Sequence, residues 1–377
     1  MEHWHTPYEN ALITTGRFGS FGGRYAPESQ IGFLQELTTL FHKSLNDVGF
    51  WKEYWTFLPN QPSPLQQAHM LTELAGSGKI WLKREDLNGY ISPSRYNIVG
   101  QILLARRMNK TEIITACASI SHGIECATLC AKLGMACRIY MGANDTLNQP
   151  AEIKRITMIG ATVETVRRGS MSLREATGDA MQASTTRFKV AFYISISETG
   201  PHPYPLIVRT FQSIIGSQAM RQLNEACGRL PTWVAASIAS NGTAVGFFYP
   251  FLRYDSVRLL GVEAFGSAAL CFGSRGVYSG AFTNILQDDD GQIPPTESLS
   301  PDMNFPAVGP ELVHWEQDGR LECTFATNEE AVEGQRIFNN TEGIPVGLDT
   351  AHAIQKVIST AKNLDRGEVI LLLVAGP

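Results

Sequence analysis

Between Ile113 and Val166, short apolar runs alternate with helical stretches, and a glycine closes each helix. Few architectures accept that order. Ile113–Ala118 reads as a strand, Ser121–Leu133 as a helix stopped by Gly134, and Cys137–Met141 as the next strand. Thr146–Ile159 then reads as a helix stopped by Gly160, and Thr162–Val166 as a further strand. Such βαβα succession predicts a parallel sheet with helices on both faces. The pattern restarts at the apolar run Trp233–Ile238, followed by Ser240-Asn241-Gly242 and a helical stretch from Thr243 to Leu252. Leu259–Ala264 and Val369–Val374 read as two more buried strands, and residues 265–310, rich in Gly, Pro and Ser, read as loops. The expected fold class is therefore α/β: two wound parallel-sheet domains meeting at a cleft. Ligands in such folds sit beyond the carboxyl ends of the strands.

Composition narrows the function. The chain has 377 residues, enough for two domains or one large unit, and its 44 % apolar and 18 % charged content is ordinary for a globular protein. A net charge of -5 argues against nucleic acid or an anionic membrane as partner. No run approaches the roughly 20 apolar residues of a membrane helix, and Met1-Glu2-His3-Trp4-His5 offers no secretion signal, so a cytoplasmic location is expected. Seven cysteines at irregular spacing predict buried thiols in a reducing cytosol, and eight scattered histidines predict no metal site.

A set of longer motifs then lines up. Gly16-Arg17-Phe18-Gly19-Ser20-Phe21-Gly22-Gly23-Arg24-Tyr25-Ala26-Pro27-Glu28 comes first, followed by Pro62-Ser63-Pro64-Leu65 and Leu82-Lys83-Arg84-Glu85-Asp86-Leu87-Asn88. Gly200-Pro201-His202-Pro203-Tyr204-Pro205, Val208-Arg209-Thr210-Phe211-Gln212, Asp290-Gly291-Gln292-Ile293, Val308-Gly309-Pro310-Glu311 and Glu342-Gly343-Ile344-Pro345 with Ala351-His352-Ala353 follow in order. From about Gly16 to Gly376 the set closely resembles the tryptophan synthase β subunit family. The resemblance implies the type II pyridoxal-phosphate (PLP) fold. It implies an N-terminal segment over 1–60, an N-terminal α/β domain over 61–205 with a mobile subdomain at about 95–187, and a C-terminal α/β domain over 206–377. It also implies a homodimer.

The same resemblance marks four departures. The family's lysine, which holds the cofactor as a Schiff base, aligns with Ser94 in Pro93-Ser94-Arg95-Tyr96-Asn97, and the neighbouring Arg95 is a very poor imine former. The glycine-rich phosphate cradle aligns with Ala239-Ser240-Asn241-Gly242-Thr243. The serine facing the pyridine nitrogen aligns with Ala375, and the acid/base glutamate with Ala116 in Ala116-Cys117-Ala118-Ser119-Ile120-Ser121-His122-Gly123.

Four losses on one ligand predict no cofactor and no tryptophan synthesis. New polar groups point to a cofactor-independent enzyme on an indole-type site. The expected chemistry is a Pictet–Spengler condensation of a tryptophan-like amine with an aldehyde, giving a tetrahydro-β-carboline. Glu198 is the first candidate acid/base, then Glu125 and His122, because a carboxylic acid of raised pKa both dehydrates and deprotonates. Ser94, Arg95, Tyr96, Ser119, Ser121, Asn304, Phe305 and Glu342 are the expected substrate contacts. Structural roles compete for the same residues. Glu125 suits a helix N-terminus, Glu342 suits a cap, and His122, His202 and His352 suit the interior. A non-catalytic tryptophan or indole binder, or a regulatory partner of a synthase, is the alternative.

Overall fold

Val369–Val374 is buried along its whole length and lies inside a six-stranded sheet. A run of Val, Ile and Leu has no wet face, so it pairs on both edges and is covered on both sides. Its parallel neighbours are Lys79–Arg84 and Trp233–Ser237. Across the sheet the order is Leu321–Ala326, Arg258–Ala264, Trp233–Ser237, Val369–Val374, Lys79–Arg84 and Leu65–Gln67, of which only the last pairs antiparallel. The computed structural model describes residues 14–59, 61–87 and 94–375; Asn88, Pro93 and Gly376 of the motifs above lie outside them.

A second sheet, all parallel, runs in the order Thr162–Val166, Ala136–Gly142, Glu112–Ala116, Ala191–Ile194. The expected α/β class with parallel sheets is thus present. The helix after Glu112–Ala116 is Ile120–Lys132, and Gly134 beyond it takes φ 66°, the left-handed region that a Cβ disfavours. The helix expected over Thr146–Ile159 is two, Ala143–Asn148 and Pro150–Ile159. Pro150 lacks an N–H and drives Gln149 to φ -135°, out of the helical region.

The stretch 265–310, expected as loops, carries the short helix Ala269–Phe272 and an antiparallel hairpin, Ser274–Tyr278 with Ala281–Ile285. Ser279 and Gly280 turn it with φ 47° and 93°, the positive pair that a two-residue hairpin turn requires. With Arg17–Phe18 and Phe21–Gly22 these strands form a third, small sheet.

An aromatic knot holds the N-terminal helices to the core. Phe50 and Tyr54 of the helix Val48–Thr56 stack on Phe211 of the helix Tyr204–Cys227, at 6.0 and 5.5 Å between ring centroids. Tyr54 then donates to the carbonyl of Tyr96 at 2.9 Å, which seats the start of the helix Arg95–Arg107. Among the described residues no helix is long and apolar enough to cross a membrane.

Candidate active site

The strand Ala191–Ile194 runs into a loop that is fixed before it reaches its functional residue. The Ser195 carbonyl accepts from Asn97 Nδ2 at 2.8 Å and Gln101 Nε2 at 2.6 Å, and the Ser195 N–H donates to Gln101 Oε1 at 3.1 Å. Thr199 N–H donates to Ser197 Oγ at 3.0 Å. Glu198 lies between them, 3 % exposed. Its side chain fits because two glycines stand aside. A Cβ on Gly309 would lie 2.0 Å from Glu198 Cγ, and one on Gly242 would lie 3.2 Å from Glu198 Oε2. Burial pushes the carboxyl up to about 7, opposed by backbone N–H groups including that of Gly309 and helped by the nearby charge of Glu311. A carboxyl at that value has both forms near neutral pH, as a general acid/base requires.

Around it the polar groups are unsatisfied. Glu198 Oε2, Ser240 Oγ, Thr243 Oγ1, Gln212 Oε1 and Asn304 Oδ1 are buried with no hydrogen-bond partner among the described residues. Each such atom costs about 1–3 kcal/mol, so a cluster of them marks a place where a ligand or water supplies the bonds. The cavity lined by Glu198, Ser240, Glu263, Ser267, Phe305 and Val308 encloses about 20 Å³, room for one water. Phe305 closes one side, edge-on to Tyr278 at 5.5 Å between centroids.

Asp302, absent from the expected set, ties the two sheets' loops together. Its carbonyl accepts from the Ser240 N–H at 2.8 Å, and its carboxyl accepts from the Ser119 backbone. Desolvation, then Asp349 and Asp145, push that carboxyl up to about 7. Ser119 and Ser121 share a hydroxyl bond at 2.8 Å beside it.

The other expected residues gather elsewhere, mostly with their bonding complete. Arg95 donates to the Phe57 carbonyl from Nε at 3.0 Å and Nη2 at 2.8 Å, and its Nη1 meets Glu125 Oε2 at 3.1 Å. Burial raises the Glu125 carboxyl, opposed by Arg95. The Arg95 donors are thus spent inside the fold. Tyr96 is fully buried, its hydroxyl on Gln61 Oε1. His122 sits between Thr115 Oγ1 at 3.1 Å and Ser94 Oγ at 3.3 Å, and burial drives its pKa down to about 3, so the ring is neutral. Glu342 accepts the Leu71 N–H at 2.7 Å and caps the helix His69–Ala75. Of the acid/base candidates, Glu198 alone lines this cavity, together with Phe305, and Asn304 next to Phe305 carries a buried oxygen with no partner among the described residues.

Comparison with known proteins gives this cleft its family. A family model described as pyridoxal-phosphate dependent enzyme matches residues 56–376. The tryptophan synthase beta chain of Ruegeria pomeroyi is 40 % identical over 373 residues, covering 96 % of this chain and 90 % of the relative. The chain belongs to the tryptophan synthase β family. The tryptophan synthase beta chain of Dinoroseobacter shibae is 40 % identical, with 96 % and 91 % covered. The tryptophan synthase of Saccharomyces cerevisiae is 38 % identical, and the match spans 52 % of that longer protein.

Family membership corrects the expected activity. Similarity along nearly the whole chain to tryptophan synthases, under a family model of PLP-dependent enzymes, contradicts a PLP-independent Pictet–Spengler condensation and a β-carboline product. It equally contradicts a cofactor-independent cyclase and a chain that is not a tryptophan synthase. The expectation rested on four short stretches, and the remaining length of chain speaks against it.

The residues fit PLP on one side only. Ser240 and Thr243 offer hydroxyls without a partner among the described residues, as an anion would need, but the Glu198 carboxyl abuts the adjoining Gly242 and opposes a second anion. At position 94 there is a serine hydroxyl beside His122, with no amine. Lys83, the one buried lysine among the described residues, spends its Nζ on the Ser63 carbonyl at 2.8 Å and Gln222 Oε1 at 2.9 Å. Neither Ser94 nor Lys83, as placed here, offers a free amine for a covalent tether.

Proposed function

We propose that the chain is a tryptophan synthase β-type enzyme whose amino-acid and indole-type substrates meet beside Glu198, widening its one-water cavity as they bind. The observation that supports this reading is the set of unpartnered buried atoms on Glu198, Ser240, Thr243, Gln212 and Asn304. In it Glu198 holds and moves the proton, the hydroxyls and Asn304 orient the polar end of a substrate, and Phe305 with Tyr278 offers an apolar wall to an indole ring. Within the family we propose a divergent member, with Ser94 where the lysine is expected and any PLP held without a covalent link to the chain. Two chains pair as a homodimer in this proposal, and a complementary chain joins them, as the name beta chain of the relatives suggests. The domain division at 60/61 and 205/206 and a cytoplasmic location belong to the same proposal.

The test uses the purified chain with indole, L-serine and PLP, and tryptophan is followed by chromatography. Tryptophan should form, and Glu198→Gln should lower the rate by about 10²–10⁴-fold. No tryptophan under any condition sinks the activity. Borohydride reduction followed by intact mass tests the tether separately: the mass should be unchanged, and a reduced cofactor adduct on any lysine overturns the covalent-free reading.

A further inference from the structure

Behind the wall of that cavity lies a pair of sulfurs. The strand Arg258–Ala264 delivers Glu263, 3 % exposed, to the start of the helix Ala269–Phe272. Its carboxylate accepts the N–H of Leu270 at 2.9 Å and of Cys271 at 2.9 Å. The parallel neighbour Leu321–Ala326 carries Cys323 on the same side, with Sγ 3.5 Å from Glu263 Oε2. Cys271 Sγ and Cys323 Sγ are 2.8 Å apart.

Both thiols are half-buried, whereas Cys117, Cys126, Cys130 and Cys137 are buried. The expectation of buried thiols throughout is thus corrected at Cys227, Cys271 and Cys323. The three groups Glu263, Cys271 and Cys323 also have the composition of a metal site. The spacing argues otherwise. Two thiolates at about 2.3 Å from one tetrahedral zinc stand almost 4 Å from each other. A pair at 2.8 Å is too close to chelate and close to bonding.

We infer that Cys271 and Cys323 are a reversible thiol–disulfide couple that ties the helix Ala269–Phe272 to the strand Leu321–Ala326. The oxidant is a small disulfide of the glutathione type. One cysteine thiolate attacks it, forming a mixed disulfide and releasing one thiol. The second cysteine then attacks the mixed disulfide, forms the internal S–S bond and releases the other thiol. The two cysteine sulfurs lose two electrons, the small disulfide gains them, and the two protons leave on the released thiols. Hydrogen bonding to Cys271, burial and the Glu263 carboxylate hold the Cys323 thiol well above its ordinary range, so closure is faster at higher pH.

Full-length protein is equilibrated in glutathione buffers from reduced to oxidised, acid-quenched, alkylated after denaturation, digested and read by mass spectrometry. A Cys271–Cys323 linked peptide should appear, lighter by two hydrogens, and alkylation of both residues should fall at least about ten-fold. The four buried cysteines should stay alkylated. Cys323→Ser should replace the linked peptide with a glutathione adduct on Cys271. Full alkylation of both thiols across the series, or pairing of either with another cysteine, overturns the couple. So does zinc that protects both reduced thiols in the native protein at one ion per chain. None of these outcomes bears on the tryptophan synthase reading, which is tested by tryptophan formation and by the mass of a cofactor adduct.

Discussion

The Arg95–Arg107 helix and the Glu198 cavity treat buried charge in opposite ways. Arg95 and Glu125 come from facing helices and consume each other, with the Phe57 carbonyl taking the remaining donors. Glu198, equally buried, has one carboxyl oxygen with no partner among the described residues, and the neighbouring Ser240 hydroxyl has none there either. The first arrangement holds a structure together. The second carries an energetic cost that only a ligand or a proton relieves. Burial and charge alone therefore do not mark a functional residue; unsatisfied bonding does.

The comparison breaks most directly at Arg95. Arg95→Ala leaves Glu125 buried without its cation and should cost about 3–5 kcal/mol in urea unfolding. A loss below about 1 kcal/mol would make the pair a surface ornament and the contrast false. Glu198→Gln should move the other way. Its folded value of about 7 lies above the ordinary 4.5, so the folded state binds the extra proton and stability falls as pH rises from about 4.5 through 7. Above pH 7 the penalty is fully present, and the amide should gain stability approaching about 3 kcal/mol at pH 8 and little at pH 4. Equal unfolding midpoints at both pH values would show that the carboxyl is well solvated.

Smaller effects sharpen the contrast. Ser240→Ala and Thr243→Ala remove hydroxyls that have no partner among the described residues, so each should change stability by less than about 1 kcal/mol. A loss of about 2 kcal/mol from either would reveal an internal partner. The smallest expected effect is none. With its pKa near 3, the His122 imidazole should show no titration between pH 5 and 8 by NMR, and a midpoint inside that window would return it to the acid/base candidates.

Much of the frame could be read ahead of the structure, for a local reason. A parallel strand covered on both faces must be apolar throughout, and Trp233–Ser237 and Val369–Val374 advertise that in a few consecutive residues. Glu198 could be singled out only through the resemblance, as an acid where the family has a small residue; its burial beside Gly309 and Gly242 depends on contacts far along the chain. What stayed hidden is long-range. Nothing near Arg95 announces Glu125, and nothing near Glu342 announces the N–H of Leu71, whose helix it caps from far along the chain. Asp302 lies in a Pro- and Ser-rich stretch that reads as loop, and its position between Ser119 and Ser240 exists only once both sheets have folded. The hairpin around Ser279-Gly280 did carry a local signal in that dipeptide, masked by the composition of its surroundings.

The seat of Val369–Val374 has a consequence for biosynthesis. It fills the gap between Lys79–Arg84 and Trp233–Ser237, so until the ribosome has released it the large sheet exists as two halves with raw edges facing a vacancy. Native pairing there is among the most sequence-distant contacts a chain can make, and such contacts form slowly. Nascent chains stalled before Val369 should therefore linger as chaperone clients, and deleting this single strand should send the protein into inclusion bodies.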